Sequence, residues 1–203
     1  MKPPSYSPPY DSPLENDFAY QAVKHLDESV DLQAQYHVKT ICGLFIVDFV
    51  AVSRSGRHVG FECDGKEFHN TSRDEWRDAM ILGSEELDAI YRLRGADIAF
   101  QLDNILFLLS RCETELFSER GRQNLISLAH PEVRNFEFNP EETNFHVAFG
   151  DDDFSPINRI HLELRHREIS AGRRQFWQTA YQFAASIGGG SLDAVIAEYR
   201  RDT

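Results

Sequence analysis

Apolar and polar positions divide the chain into short segments of recognisable period. Residues 44–52 read Leu-Phe-Ile-Val-Asp-Phe-Val-Ala-Val, apolar on both faces except at Asp48. Such a run predicts a strand covered on both sides. A strand at about 34–39 precedes it, and His58-Val-Gly-Phe-Glu-Cys-Asp64 follows as the return strand. Between the last two, Arg54-Ser55-Gly56 reads as a three-residue hairpin loop ending in a left-handed glycine. That loop pairs Ser53 with Arg57 and sets Asp48 opposite Glu62, with Cβ atoms roughly 4.5–5.5 Å apart. A two-residue loop would place Asp48 opposite Cys63 instead. Asp64 lies two residues beyond Glu62 and shares its face.

Helical spacing fills the rest of the first half. Ser12-Pro13-Leu14-Glu15 is a capping box with proline at the first helical position, and Leu14, Phe18, Ala22 and Leu26 fall near one face. Ser72-x-x-Glu75 predicts a second box, with Trp76 and Met80 turned inward. Ser84 is expected to cap a helical piece carrying Leu87, Ile90 and Tyr91. A strand is expected at about 96–101, and Asp103 as the cap of a buried helix over Ile105–Leu109. Residues 113–140 read as helices joined by loops, with Gly121, Pro131 and Pro140 as punctuation. Phe145–Phe149 is strand-like, and Ile160, Leu162 and Leu164 alternate with His161, Glu163 and Arg165 as a half-buried strand. Ser170 is expected to begin a helix that Gly188-Gly189-Gly190 breaks, and Ser191 to cap the last one. The order α-β-β-β-α-β defines an α/β fold, a mixed sheet with flanking helices, plus a C-terminal β/α extension. The expected division is a Pro-rich disordered tail at 1–11, a core at 12–112, and an extension at 113–203 packed on that core.

Composition narrows the setting. The 203 residues include 15 Phe and are 41% hydrophobic, enough for a sizeable core in one domain. No apolar run is long enough to span a membrane, and the start carries no signal peptide. Cys42, Cys63 and Cys112 are odd in number and widely spaced, which points to a reducing cytoplasm. Against 33 acidic residues there are 21 basic ones, a net charge of −12. Nucleic-acid affinity comes mainly from Lys and Arg at phosphates, so the chain needs a local basic patch or a protein partner that brings the substrate. Arg165, Arg167, Arg173 and Arg174, with Arg159, form the candidate patch. Asp151-Asp152-Asp153 reads as a solvated turn.

Two carboxylates on adjacent core strands are the chemical signal. An unpaired buried carboxylate costs several kcal/mol and is tolerated when a metal or catalysis uses it. Mg²⁺ needs only one or two protein carboxylates, and offsets the charge that makes a phosphodiester a poor electrophile.

The run Asp48-Phe49, Phe61-Glu62-x-Asp64-Gly65, His69 and Asp74-x-x-Arg77-Asp78 resembles the very-short-patch-repair-endonuclease-like branch of the PD-(D/E)XK nuclease superfamily. Upstream, Glu15 and Gln35 fall where that branch has a helix-borne Glu and a strand-borne Gln, so the resemblance covers about residues 12–102. It implies a restriction-endonuclease-like core and a Mg²⁺- or Mn²⁺-dependent endonuclease acting on nucleic acid, DNA first, in repair, restriction or defence. Asp48, Glu62 and Asp64 are then the metal-binding carboxylates. Lys66 and His69 orient or deprotonate the attacking water, and Glu15, Gln35, Asp74 and Arg77 are auxiliary. Asp64 stands where the superfamily's name motif has Lys, as is common in this branch. The branch has a strand ending in Arg, whereas the strand expected at 96–101 has none, with Arg92 or Arg94 as possible substitutes. The competing expectation is a degraded nuclease fold serving as a nucleic-acid- or protein-binding subunit.

Overall fold

Ser12 opens the first helix, α1 (Pro13–Ala22), by accepting the Glu15 N–H at 3.2 Å. Pro13 occupies a position that has no use for an N–H. In this computed structural model, which describes residues 6–65, 71–137, 139, 144–148, 159–168 and 175–202, the chain then enters a meander. Its strands β1 (Asp31–Thr40), β2 (Gly43–Val52) and β3 (His58–Asp64) pair antiparallel in sequence. The β2–β3 turn is the expected one: Ser53 N–H donates to Arg57 O at 2.9 Å and Gly56 sits at φ 88°. The resulting register runs from Val52↔His58 to Phe49↔Phe61 and stops there, so Asp48 and Glu62 lie just past the last rung.

Helix α2 (Thr71–Gly83) begins before Ser72, which therefore lies inside its first turn rather than capping it. Trp76 and Met80 are buried as expected. The next segment corrects the sequence reading. Ala89–Arg94 is not helical but is β4, parallel to β3 from Val59↔Ala89 to Asp64↔Arg94. Residues 96–101, expected as a strand, belong to helix α3 (Gly95–Cys112), so Asp103 is inside a helix and caps nothing. Both stretches are short apolar runs whose period does not separate strand from helix. The free edge of β3 selects 89–94, and Asp97 then fits the first turn of α3, where it takes two hydrogen bonds from Arg94. The strand beside β3 thus ends in Arg94.

The extension does not form a separate layer. After α4 (Glu119–Leu128) and α5 (Pro131–Arg134), β5 (Asn144–Ala148) and β6 (Arg159–His166) join the same sheet, whose order is β1-β2-β3-β4-β6-β5. Helices α6 (Phe176–Ser186) and α7 (Leu192–Asp202) follow. Ser191 caps α7, its Oγ accepting the Ala194 N–H, and the three preceding glycines all have positive φ. The predicted helix start at Ser170 and the Asp151–Asp153 turn lie outside the described residues.

Two apolar layers sandwich the sheet. On one side Phe18, Phe49, Phe61, Tyr91, Leu93 and Leu106 pack α1 and α3 against it. On the other, Val50, Ile81, Leu82, Leu87 and Ile90 seat α2, whose Trp76 meets Phe176, Phe183 and Tyr199 edge-on. Among the described residues no helix is long and apolar enough to cross a membrane, and all three cysteines are free. Gly121, expected as loop punctuation, lies within α4 because a Cβ there would stand 2.1 Å from His25 O. Gly121→Ala is therefore expected to lower stability by about 1–3 kcal/mol in urea titration, despite alanine's better helix propensity.

Candidate functional site

The last rung of the β2–β3 ladder is where charge enters the core. Beyond it, Asp48 Oδ2 accepts the Cys63 N–H at 2.8 Å, capping the frayed pairing. Burial raises the Asp48 pKa, Glu15 and Asp64 push the same way, and the Cys63 hydrogen bond and Arg77 oppose them. Glu15, on the first turn of α1, is buried, and its Oε2 accepts Gln35 Nε2 at 3.1 Å. Gln35 reaches it from a left-handed backbone (φ 50°). It sits at the missing rung opposite Asp48, between Ala34↔Phe49 and Tyr36↔Val47. A non-glycine residue there stores about 1–3 kcal/mol of strain. The structure thus brings together Glu15, Gln35, Asp48 and Glu62 from α1, β1, β2 and β3.

Glu62 is the most perturbed of them. It is 6% exposed, and burial pushes its pKa up to about 7, with Asp48 adding to the rise and Arg77 and Arg92 opposing it. Arg77 Nη2 lies 2.6 Å from Glu62 Oε1, but it donates to the Ile46 carbonyl, and the Glu62 contact lacks hydrogen-bond alignment. We read the contact as charge proximity that leaves Oε1 without a proper donor. Burial thus outweighs the opposing charge of Arg77 at this carboxylate.

Behind these groups lies a buried ionic layer. Opposed positions across three strands read Glu62, Arg92, Glu163, acid beside base beside acid. Asp78 of α2, fully buried, accepts Arg92 Nε and Nη2 at 2.9 Å each and Arg165 Nη1 at 2.7 Å. Arg92 Nη1 also contacts both Asp64 oxygens at 3.2 Å. These carboxylates raise the Arg92 pKa against the effect of burial, so it stays charged. From the sequence, Asp78 figures only in the resemblance motif and Arg92 only as a substitute for a strand-end Arg; their pairing comes from the structure. For Arg92 the signal was the one that exposed Asp48, a charge inside an apolar run, Ile90–Leu93; Asp78 only borders one, Ala79–Leu82.

The other sequence candidates divide. Asp74 stands half-buried in the first turn of α2, one turn before Arg77. Arg165 belongs to the buried layer, paired with Asp78 and Glu163, so it does not form the solvent-facing basic patch expected of it, while Arg167 pairs with the exposed Glu85 at the surface. The strand face that carries Arg165 is polar because α2 presents Asp78 to it. Lys66, His69, Arg173 and Arg174 lie outside the described residues.

Within the described set, Glu15 and Asp48 are held by neutral donors, an amide and a backbone N–H, while Arg77, Arg92 and Arg165 are taken up by Glu62, Asp64, Asp78 and Glu163. Negative charge is therefore in excess at the β2–β3 end. Among the described residues no group of three or more His, Cys, Asp or Glu side chains is arranged to hold a metal ion. Fold and site define an α/β protein with a carboxylate-rich site at the end of two central strands. Comparisons with family models, curated proteins and solved structures find no match to this chain.

Proposed function

We propose that the chain is a Mg²⁺- or Mn²⁺-dependent endonuclease of the restriction-endonuclease-like kind, hydrolysing nucleic-acid phosphodiester bonds, DNA first. One observation carries this reading: Glu15, Asp48 and Glu62 converge from three elements with more negative charge than the described guanidiniums offset. Asp48 and Glu62 would hold the ion, with Asp64 beside them. When bound, it supplies positive charge that offsets the phosphate's repulsion of a nucleophile. Glu15 and Gln35 fix the Asp48 side of the site, and Arg77 stands by Glu62. Lys66 and His69 remain the proposed groups that position water or move its proton, on sequence grounds. A strand ending in Arg-Leu-Arg94 beside β3 supports the resemblance, since the departure expected at 96–101 does not arise. Free thiols suit the cytoplasm. With Arg165 committed to an internal pair and Arg167 held by Glu85, a protein partner that delivers the substrate belongs to this reading.

A second reading has its own observation. Arg77 and Arg92 already sit on Glu62 and Asp64, where a cation would otherwise offset them. In that reading the fold is a catalytically degraded nucleic-acid- or protein-binding subunit. Cleavage of labelled single- and double-stranded DNA in Mn²⁺, with a chelated control, separates the two. Chelator-sensitive cleavage is the expected result. A wild type that neither cleaves nor takes up Mn²⁺ in calorimetry establishes the binding module instead.

A further inference from the structure

A cavity of about 270 Å³ opens where α3 breaks. Gln101 leaves the helical conformation (φ −134°, ψ 23°), which keeps Gln101 and Asn104 buried and leaves Phe100 64% exposed. The floor is polar and fixed: Asn104 Nδ2 donates to Gln101 Oε1 at 2.6 Å, and Asn104 Oδ1 accepts the His130 N–H at 2.8 Å. Gln21, Asp103 and Leu128 complete the wall. Outside the lining, Lys24 Nζ donates to Oε1 of Gln21 at 3.0 Å and lies 3.6 Å over the Tyr20 ring.

The chemistry of this site selects its occupant. Asp103 repels a phosphate from the interior. A planar neutral group with an exocyclic amine fits it: Asp103 accepts the amine, the exposed Phe100 ring offers a face, and Lys24 meets a phosphate outside. Volume at the lower end for ligand pockets suits one base. The place suits it too. Helix α1 runs from Glu15 at the carboxylates to Gln21 at the cavity, a rise of about 9 Å. Helix α3 starts at Gly95, against Asp64 O, and reaches Phe100 about 7.5 Å on. That is at most about two to three nucleotides, since a single strand extends beyond the 3.4 Å step of a stacked duplex.

We propose that this cavity binds an unstacked nucleobase of single-stranded nucleic acid, stacked on Phe100, with Lys24 at its phosphate, a few nucleotides from the Asp48–Glu62 carboxylates. The placement rests on the nuclease reading, but binding is measurable without cleavage. The probe is a single-stranded oligonucleotide carrying 2-aminopurine, titrated with protein in chelator. Wild type is expected to raise the probe's emission, because the base leaves the stack of its neighbours. Phe100→Ala is expected to abolish that rise and weaken binding roughly 5- to 100-fold, with Phe100→Trp retaining the affinity. Lys24→Ala should lower the slope of log affinity against log salt by about 0.7, one phosphate contact. Phe100 is exposed, so an unchanged melting temperature excludes misfolding. Absence of an emission rise with wild type, or equal binding by Phe100→Ala, overturns the base site. Metal-dependent cleavage with Phe100-insensitive binding leaves the nuclease reading standing and removes the base site. A Phe100-dependent emission rise without cleavage does the reverse.

Discussion

Asp78→Ala is expected to lower the unfolding free energy by about 3–5 kcal/mol, the scale for removing one partner of a buried ion pair. The side chain is fully buried and takes four hydrogen bonds, two from Arg92, one from Arg165 and a longer one of 3.5 Å from Arg77. Without it, among the described residues Arg92 remains charged inside the sheet–α2 interface with the Asp64 contact alone, and Arg165 with Glu163 alone. Asp78→Asn preserves shape and one acceptor and should fall between the two. The Arg201–Glu198 pair on α7 is the contrast: both side chains are exposed, and Glu198→Ala should change stability by less than about 1 kcal/mol. Urea titration of the three variants measures the difference. A loss of under 1 kcal/mol in Asp78→Ala would mean that water reaches Arg92, and the layer is not a sealed support for the site.

Glu62→Gln is expected to abolish metal response and to remove the loss of stability that Glu62 contributes as pH rises. The folded Glu62 has a pKa of about 7 against an ordinary 4.5, so the folded state holds its proton more tightly. Stability is full below the unfolded value and is lost as pH rises through the folded one. Over the window from 4.5 to about 7 the loss is at most on the order of 3 kcal/mol, less any relief from water entry. Glutamine does not ionise, so the variant should gain on wild type as pH rises from 5 to 8. A divalent ion binds only the charged carboxylate. Mn²⁺ should therefore raise the melting temperature of wild type at pH 8 far more than at pH 5, and leave Glu62→Gln unmoved. Cleavage by the variant should drop on the order of 10²–10³-fold, the scale for removing a group that offsets charge at the reacting centre. Equal Mn²⁺ stabilisation of both proteins would sink the assignment of Glu62.

How far the site could be read from the chain depends on how local its determinants are. The hairpin register was legible because Gly56 fixes the turn, and the turn fixes which residues face each other; Asp48 and Glu62 follow from it. The capped start of α1 and the inward side of α2 were legible for the same reason. Residues 84–101 were not. Strand and helix patterns are equal over so short an apolar run, and the unpaired edge of β3, a feature of the assembled sheet, decided the outcome. Arg165 looked like a solvent-facing base because alternation along β6 reports only that one face is polar. It does not report that α2 lays Asp78 on that face.

The sequence alone determined an α/β chain, the β2–β3 hairpin and two carboxylates where a core strand has no use for them. The tertiary structure decided which charges answer one another. It set Arg92 between Asp64 and Asp78, left Glu15 and Asp48 with neutral donors, and carried β6 and β5 into the same sheet. Turn and cap signals act over a few residues and are written in order along the chain. Charge compensation acts through space between strands and helices far apart in sequence, and exists only once burial has removed the water that would otherwise screen it.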